Sequence, residues 1–224
     1  MVAPLLIDTH MHIQRSREEG LRHKAGGYVV WEYGDKPDVH YSKCGGDLTE
    51  ALESIQQASF EKAIVVNLFS TSRVRRTAIS EFTHEMDQQE REKAHQELDA
   101  TMFDRLKTFN HWACDLAKPH PELVPYISID PAVIPGEDGP SYVMDMISNH
   151  GTRGIKIHPV VQGFHLADRR MWPIYQTCQE NAIPILTHSG PAHDAKSYAE
   201  PKAALRCLSG IPSIDSCACS HGWW

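Results

Sequence analysis

Three apolar segments, widely separated in the sequence, each run into histidine at their C-terminal ends. Residues 5–12 read Leu-Leu-Ile-Asp-Thr-His-Met-His, residues 153–159 read Arg-Gly-Ile-Lys-Ile-His-Pro, and residues 184–190 read Pro-Ile-Leu-Thr-His-Ser-Gly. Short runs of this kind suit strands, and near-continuous apolar strands belong to parallel sheets covered on both faces. Alternate residues of a strand share a face, so His10 and His12 lie on one side, about 6.6 Å apart along the strand. Each histidine alone has an ordinary explanation: a strand end, a cap before proline, or a turn residue before Ser-Gly. Together they require histidine at strand ends of one polarity, which the ordinary explanations do not supply.

The intervening sequence fits an α/β alternation. Residues 14–47, rich in charge, glycine and aromatics, read as a long loop; Leu48, Leu52 and Ile55 carry helical spacing; and residues 62–69 form an apolar, β-branched strand. Residues 73–98 are strongly charged and read as a solvated helix or an insertion at about 70–98. Met102, Leu106, Phe109, Ala113 and Leu116 make a helical stripe ended by Pro119 and Pro121, and residues 123–129 are the next strand, closed by Asp130-Pro131. Helices are expected over 141–149, from Met171 to Ala182 and over 201–208, with a further strand from Ile214. Strands alternating with helices across short turns imply right-handed parallel crossovers in a single domain. In a closed barrel the C-terminal strand ends carry the active site. An open sheet would want a glycine-rich phosphate loop after its first strand, and none follows His12.

Composition narrows the partners. The chain has 224 residues, 41% of them hydrophobic, and a formal net charge of -7, which argues against nucleic acid. No apolar run is long enough to span a bilayer, and the N-terminus lacks the basic region of a signal peptide. Six cysteines in a chain this long do not make a disulfide framework, and a cytoplasmic location is expected. The expected partner is a small molecule, with a homodimer as a possible assembly.

On parallel neighbouring strands, His10, His12, His158 and His188 converge on one rim. Imidazole suits zinc and other late first-row ions, and three protein ligands with an open position mark a catalytic rather than a structural site. A metal there acidifies a bound water, and a fourth histidine takes its proton. Asp8 shares the face of His10, and Lys156 is in phase with His158 as an interior or substrate-facing cation, a carboxylated lysine being the lesser alternative.

The sequence resembles the amidohydrolase-related branch of the amidohydrolase superfamily, which includes aminocarboxymuconate-semialdehyde decarboxylase. The matching pieces are residues 7–12, then Gly154-Ile155-Lys156-Ile157-His158-Pro159 with Gln162-Gly163-Phe164, then Trp172-Pro173-Ile174-Tyr175 leading to His188. The resemblance implies a distorted (β/α)8 TIM-like barrel and one divalent metal, with zinc the expected ion. It implies His10, His12 and His158 as metal ligands, His188 as the base that activates water, and Lys156, Gln162 and Phe164 against the substrate. The implied activity is a metal-dependent hydrolase acting on a small carboxylate, amide or lactone; the alternatives are a non-oxidative decarboxylase and a truncated, inactive remnant.

The chain departs from this pattern at its end. A (β/α)8 barrel takes about 250 residues, only six strands can be placed, and the family's last ligand, an aspartate, is not reached. Residues 214–224 read as a poor barrel strand. Shifted by one base, the closing Trp-Trp codons give glycine, and the stretch permits Leu-Ile-Leu-Val-Leu-Ala-His-Met-Gly-Gly-Gly. A frame change near Ser213 is therefore expected, leaving Cys217, Cys219 and His221 without chemistry; the competing reading is a Cys-x-Cys-x-His metal tail. Unpaired edges would leave such a chain unstable and weakly active.

Overall fold

The computed structural model describes residues 5–25, 44–83, 85–134, 137–189 and 217–221. The chain divides into two units, residues 1–65 with 121–123, and residues 66–120 with 124–224.

Unit 1 holds β1 (Ile7–Met11), α1 (Arg17–Ala25), α2 (Leu48–Gln57) and β2 (Lys62–Val65). β1 and β2 pair in parallel, Ile7 with Lys62, Asp8 with Ala63 and Met11 with Val65. Three steps on β1 thus face two on β2, a bulge that re-aims the side chains of the stretch carrying His10. β2 is tied on by Ala63 N–H to Glu122 O (2.8 Å) and by Lys62 Nζ to Pro121 O (2.6 Å). α1 forms where a loop is expected. Its start is legible in Ser16-x-x-Glu19, for the Ser16 hydroxyl accepts from Glu19 N–H at 3.1 Å. Residues 26–43 lie outside the described residues.

Unit 2 contains α3 (Thr71–Ser80), α4 (Gln88–Ala117), β3 (Leu123–Ser128, its first residue in unit 1), α5 (Asp138–His150), β4 (Gly154–Ile157), α6 (Pro159–Gln162), a 3-10 turn (Arg169–Met171), α7 (Trp172–Glu180), β5 (Ile185–Ser189) and β6 (Cys217–His221). β3, β4, β5 and β6 pair in parallel in that order. The stretch read as an insertion becomes α3 and the first part of α4. An Asp87/Glu90 capping box starts α4 at Gln88, well before its apolar stripe begins at Met102, and Val74 and Leu98 pack against the core. The Arg75 guanidinium grips both oxygens of Asp99 (2.7 and 3.2 Å), joining α3 to α4. β6 forms at the tail despite its sequence, pairing from Ile185↔Cys217 to Ser189↔His221. The helix expected over 201–208 lies outside the described residues, of which no helix is long and apolar enough to cross a membrane.

The two faces of this sheet differ. Ile127, Ile129, Ile155, Ile157 and Ile185 join the core with Met102, Leu106, Val143, Met146 and Ile174 of the helices. Register places Tyr126 with Gly154, Ser128 with Lys156 and Leu186, and Asp130, by continuation, with His158 and His188 on the opposite face. Asn110 of α4 fixes β3 by taking Ser128 N–H (2.9 Å) and giving its amide to Ser128 O (2.8 Å) and the Tyr142 hydroxyl (2.9 Å).

Gly154 is required in the lowest of these layers. A Cβ there would stand 2.5 Å from two Tyr126 ring carbons and 2.8 Å from Pro184 O. Gly154→Ala is expected to cost about 1–3 kcal/mol, from overpacking. In urea unfolding it should lower the midpoint with the slope unchanged.

Candidate active site

In unit 1 the alternation of β1 brings His10 and His12 together. Their Nε2 atoms are 3.1 Å apart, with ring centroids 5.0 Å apart and planes tilted by 58°. Two nitrogens each about 2.0–2.1 Å from one ion at the tetrahedral angle would stand about 3.3 Å apart. The pair therefore fits two ligands of a single cation. Asp8 is turned into its own strand, where Oδ1 accepts from His10 N–H at 2.8 Å.

In unit 2 the ends of β4 and β5 stack His158 on His188, with ring centroids 3.8 Å apart and planes within 10°. His158 caps α6. Its Nδ1 accepts from Val161 N–H at 3.4 Å, and its own N–H donates to Gln162 Oε1 at 2.7 Å. With Nδ1 used as an acceptor, the neutral ring carries its proton on Nε2. His188 sits beside it, half-buried. Loss of solvation, and then the charge of Lys156, push its pKa down to about 4, so the ring is neutral at physiological pH.

Gln162 was expected at the substrate mouth. It is buried and all of its amide is engaged: Oε1 holds His158, while Nε2 donates to Ile129 O (2.8 Å) and Ser128 Oγ (3.3 Å). It stitches the end of β4 to the end of β3. Phe164 is likewise buried, as part of the apolar core. Lys156 lies on the histidine face at 1% exposure, its Nζ without a hydrogen-bond partner among the described residues, and burial draws its pKa down to about 8.

Sequence reasoning missed Asp130. It follows β3 as His158 follows β4, is fully buried, accepts from Ala132 N–H at 2.8 Å through Oδ1, and leaves Oδ2 without a hydrogen-bond partner among the described residues. Burial raises its pKa to about 7 against the pull of the Ala132 amide, Arg170 and Arg75. The available signal was position: an acidic residue just past an apolar strand of the same polarity as those ending in histidine. Among the described residues, no three His, Cys, Asp or Glu gather as a metal-holding group.

The strand-end chemistry suggests a family, and comparison decides it. A family model described as amidohydrolase matches residues 7–213. The chain belongs to the amidohydrolase family. No curated protein matches it. Among solved structures, this amidohydrolase-family chain is similar to an uncharacterised TIM-barrel protein from Bordetella bronchiseptica, with 18% identity, a TM-score of 0.59, and coverage of 92% of this chain and 63% of that one. A 5-carboxyvanillate decarboxylase from Sphingomonas paucimobilis gives 14% identity and a TM-score of 0.55, covering 90% and 62% of the two chains. A 5-carboxyvanillate decarboxylase from Novosphingobium aromaticivorans, solved with manganese, gives 17% and 0.50, covering 91% and 55%. The fold is thus of the TIM-barrel type, as expected, and the chain spans 55–63% of the length of these structures.

The electrostatics of His188 are testable by NMR titration. Its ring should stay neutral to below pH 5, with a midpoint near 4, and Lys156→Met should raise that midpoint. Because the folded value lies below the ordinary 6.5, the unfolded chain binds a proton between pH 6.5 and 4 that the folded chain does not. Stability should therefore fall as the pH is lowered through that window.

Proposed function

We propose that this amidohydrolase-family chain belongs to a metal-dependent hydrolase that acts on a small carboxylate, amide or lactone. The observation that carries the proposal is the approach of His10 Nε2 and His12 Nε2 to 3.1 Å, a spacing suited to one divalent ion. Such an ion supplies Lewis-acid polarisation of substrate oxygen and acidifies water. Zinc is the ion expected of an imidazole-rich set; manganese in one of the similar decarboxylases supports a divalent ion without choosing between them. The protein is proposed to be cytoplasmic and to take a small molecule rather than nucleic acid.

Within unit 2, His158 is proposed as a metal ligand and His188 as the base that activates water. Ligation through His158 Nε2 would move its proton to Nδ1 and end the long 3.4 Å contact from Val161 N–H. Gln162 fixes His158 through its backbone and serves as a positioning residue. A carboxy-lyase is the second reading, supported by two similar decarboxylases and by the ammonium of Lys156 on the histidine face.

Metal analysis tests the proposal. The purified chain should bind about one equivalent of zinc or manganese, and His10→Ala and His12→Ala should each lower the affinity by about 10-fold or more. Metal content unchanged in both variants would remove the metal-dependent reading.

A further inference from the structure

Shortly after His12 the chain enters α1, a nine-residue helix with almost no apolar face. A helix that short is marginal by itself in water and is normally held by an apolar stripe. Backbone holds α1 instead. Gly20 is buried so close to the Gly45 carbonyl that a Cβ on Gly20 would overlap its oxygen. A Cβ on Gly45 would stand 2.5 Å from Arg17 O and 2.7 Å from Arg17 Cα.

One carboxylate ties this crossing to the strand that carries the histidines. Glu50 is the third residue of α2, which Asp47 caps by accepting from Glu50 N–H at 3.0 Å. In a capping box the acid at that position reaches back to the N–H of the capping residue. Glu50 reaches one residue further. Its Oε2 accepts from Gly46 N–H at 2.6 Å, and its Oε1 accepts from Arg17 Nε at 3.0 Å. The Gly46 amide, ahead of Arg17 and against burial, holds the Glu50 pKa below its ordinary value. Gly46 O in turn accepts from Gln14 N–H at 2.7 Å, two residues past His12. Gly46 also lies beside His12 O, which would be 4.0 Å from a Cβ at that glycine. His12 is exposed, so burial contributes little to fixing its place.

We propose that Glu50 is a positioning residue for the imidazole pair: by holding Gly46 it fixes the main chain at Gln14 and so keeps His10 and His12 at chelating distance. The inference rests on the proposed metal reading and adds to it a residue outside the ligand set. Arg17 serves α1 alone, because Glu50 Oε2 faces Gly46 N–H without it.

The test reads two quantities in the full chain and its variants: zinc affinity, and hydrogen exchange of the Gln14 amide in metal-free protein by NMR. The Ala63 amide of β2, bonded to Glu122 O at 2.8 Å, is the internal reference. Glu50→Ala should weaken zinc by about 10-fold, as expected of a group that orients a ligand. It should also speed Gln14 exchange by about 10-fold relative to Ala63. Glu50→Gln keeps an acceptor oxygen for Gly46 N–H and should retain most of both. Arg17→Met should leave both as in the parent. Faster exchange at Gln14 and Ala63 alike would overturn a local hold. Gln14 exchange unchanged in Glu50→Ala, or zinc affinity unchanged beside faster exchange, would overturn the positioning role and leave the metal reading standing. A parent that binds no zinc would sink the metal reading; selective release of Gln14 in Glu50→Ala would still support the hold on the chain at His12, and its absence would overturn it.

Discussion

Parallel pairing of β3, β4 and β5 in one register is the constraint on which unit 2 depends. With a side-chain period of two, that register sends isoleucines to the helices and Ser128, Asp130, Lys156, His158 and His188 to the other face. A slip of one residue would bury the polar set against α4 and α5 and turn the isoleucines away from them. Side chains and backbone pin the register at both ends. Gln162 and Asn110 clamp the C-terminal side, and Arg153 N–H to Pro125 O (2.9 Å) with Ile155 N–H to Pro184 O (3.0 Å) fix the other. Each fully buried isoleucine contributes roughly 1.5–3 kcal/mol. An unpaired buried charge costs several kcal/mol. The apolar face thus sustains a polar face that could not persist alone.

The polar face is graded along the strands. Tyr126 fills the lowest layer over Gly154, where a larger residue has no room. The next layer holds the Lys156 ammonium, without an acceptor among the described residues, and the uppermost holds a buried carboxyl beside two stacked rings. Desolvation dominates the shifts at Asp130, Lys156 and His188, in each case disfavouring the charged form. Strong perturbation of neighbouring groups on one sheet face is characteristic of working sites. Unit 1 presents a different device: two histidines two residues apart on a bulged strand, close enough to share one proton or one cation.

Much of this was legible from residue types. Among the described residues, β1 to β5 and most helices follow from apolar runs and helical spacing, β6 forms despite its sequence, and the family follows from short motifs at strand ends. Other features were hidden. The capping box at Asp87 starts α4 inside a charged stretch that carries little apolar signal of its own. α1 has almost no apolar face and is marked only by its cap. Gln162 and Phe164 occur in a motif next to histidine, yet one is used up in bridging strands and the other in packing. Asp130 looked like a turn residue because nothing local shows that its carboxyl is sealed from water.

The sequence by itself determined which residues end each strand, because apolar runs broken by histidine, proline and glycine fix strand polarity without reference to neighbours. Only the tertiary structure decided what those residues have around them. Whether His158 offers a lone pair or a proton depends on its contact with Val161, and whether Lys156 wants an acceptor depends on every other donor and acceptor within reach. Hydrogen-bond satisfaction and desolvation are sums over residues distant in the chain, and no local pattern encodes them.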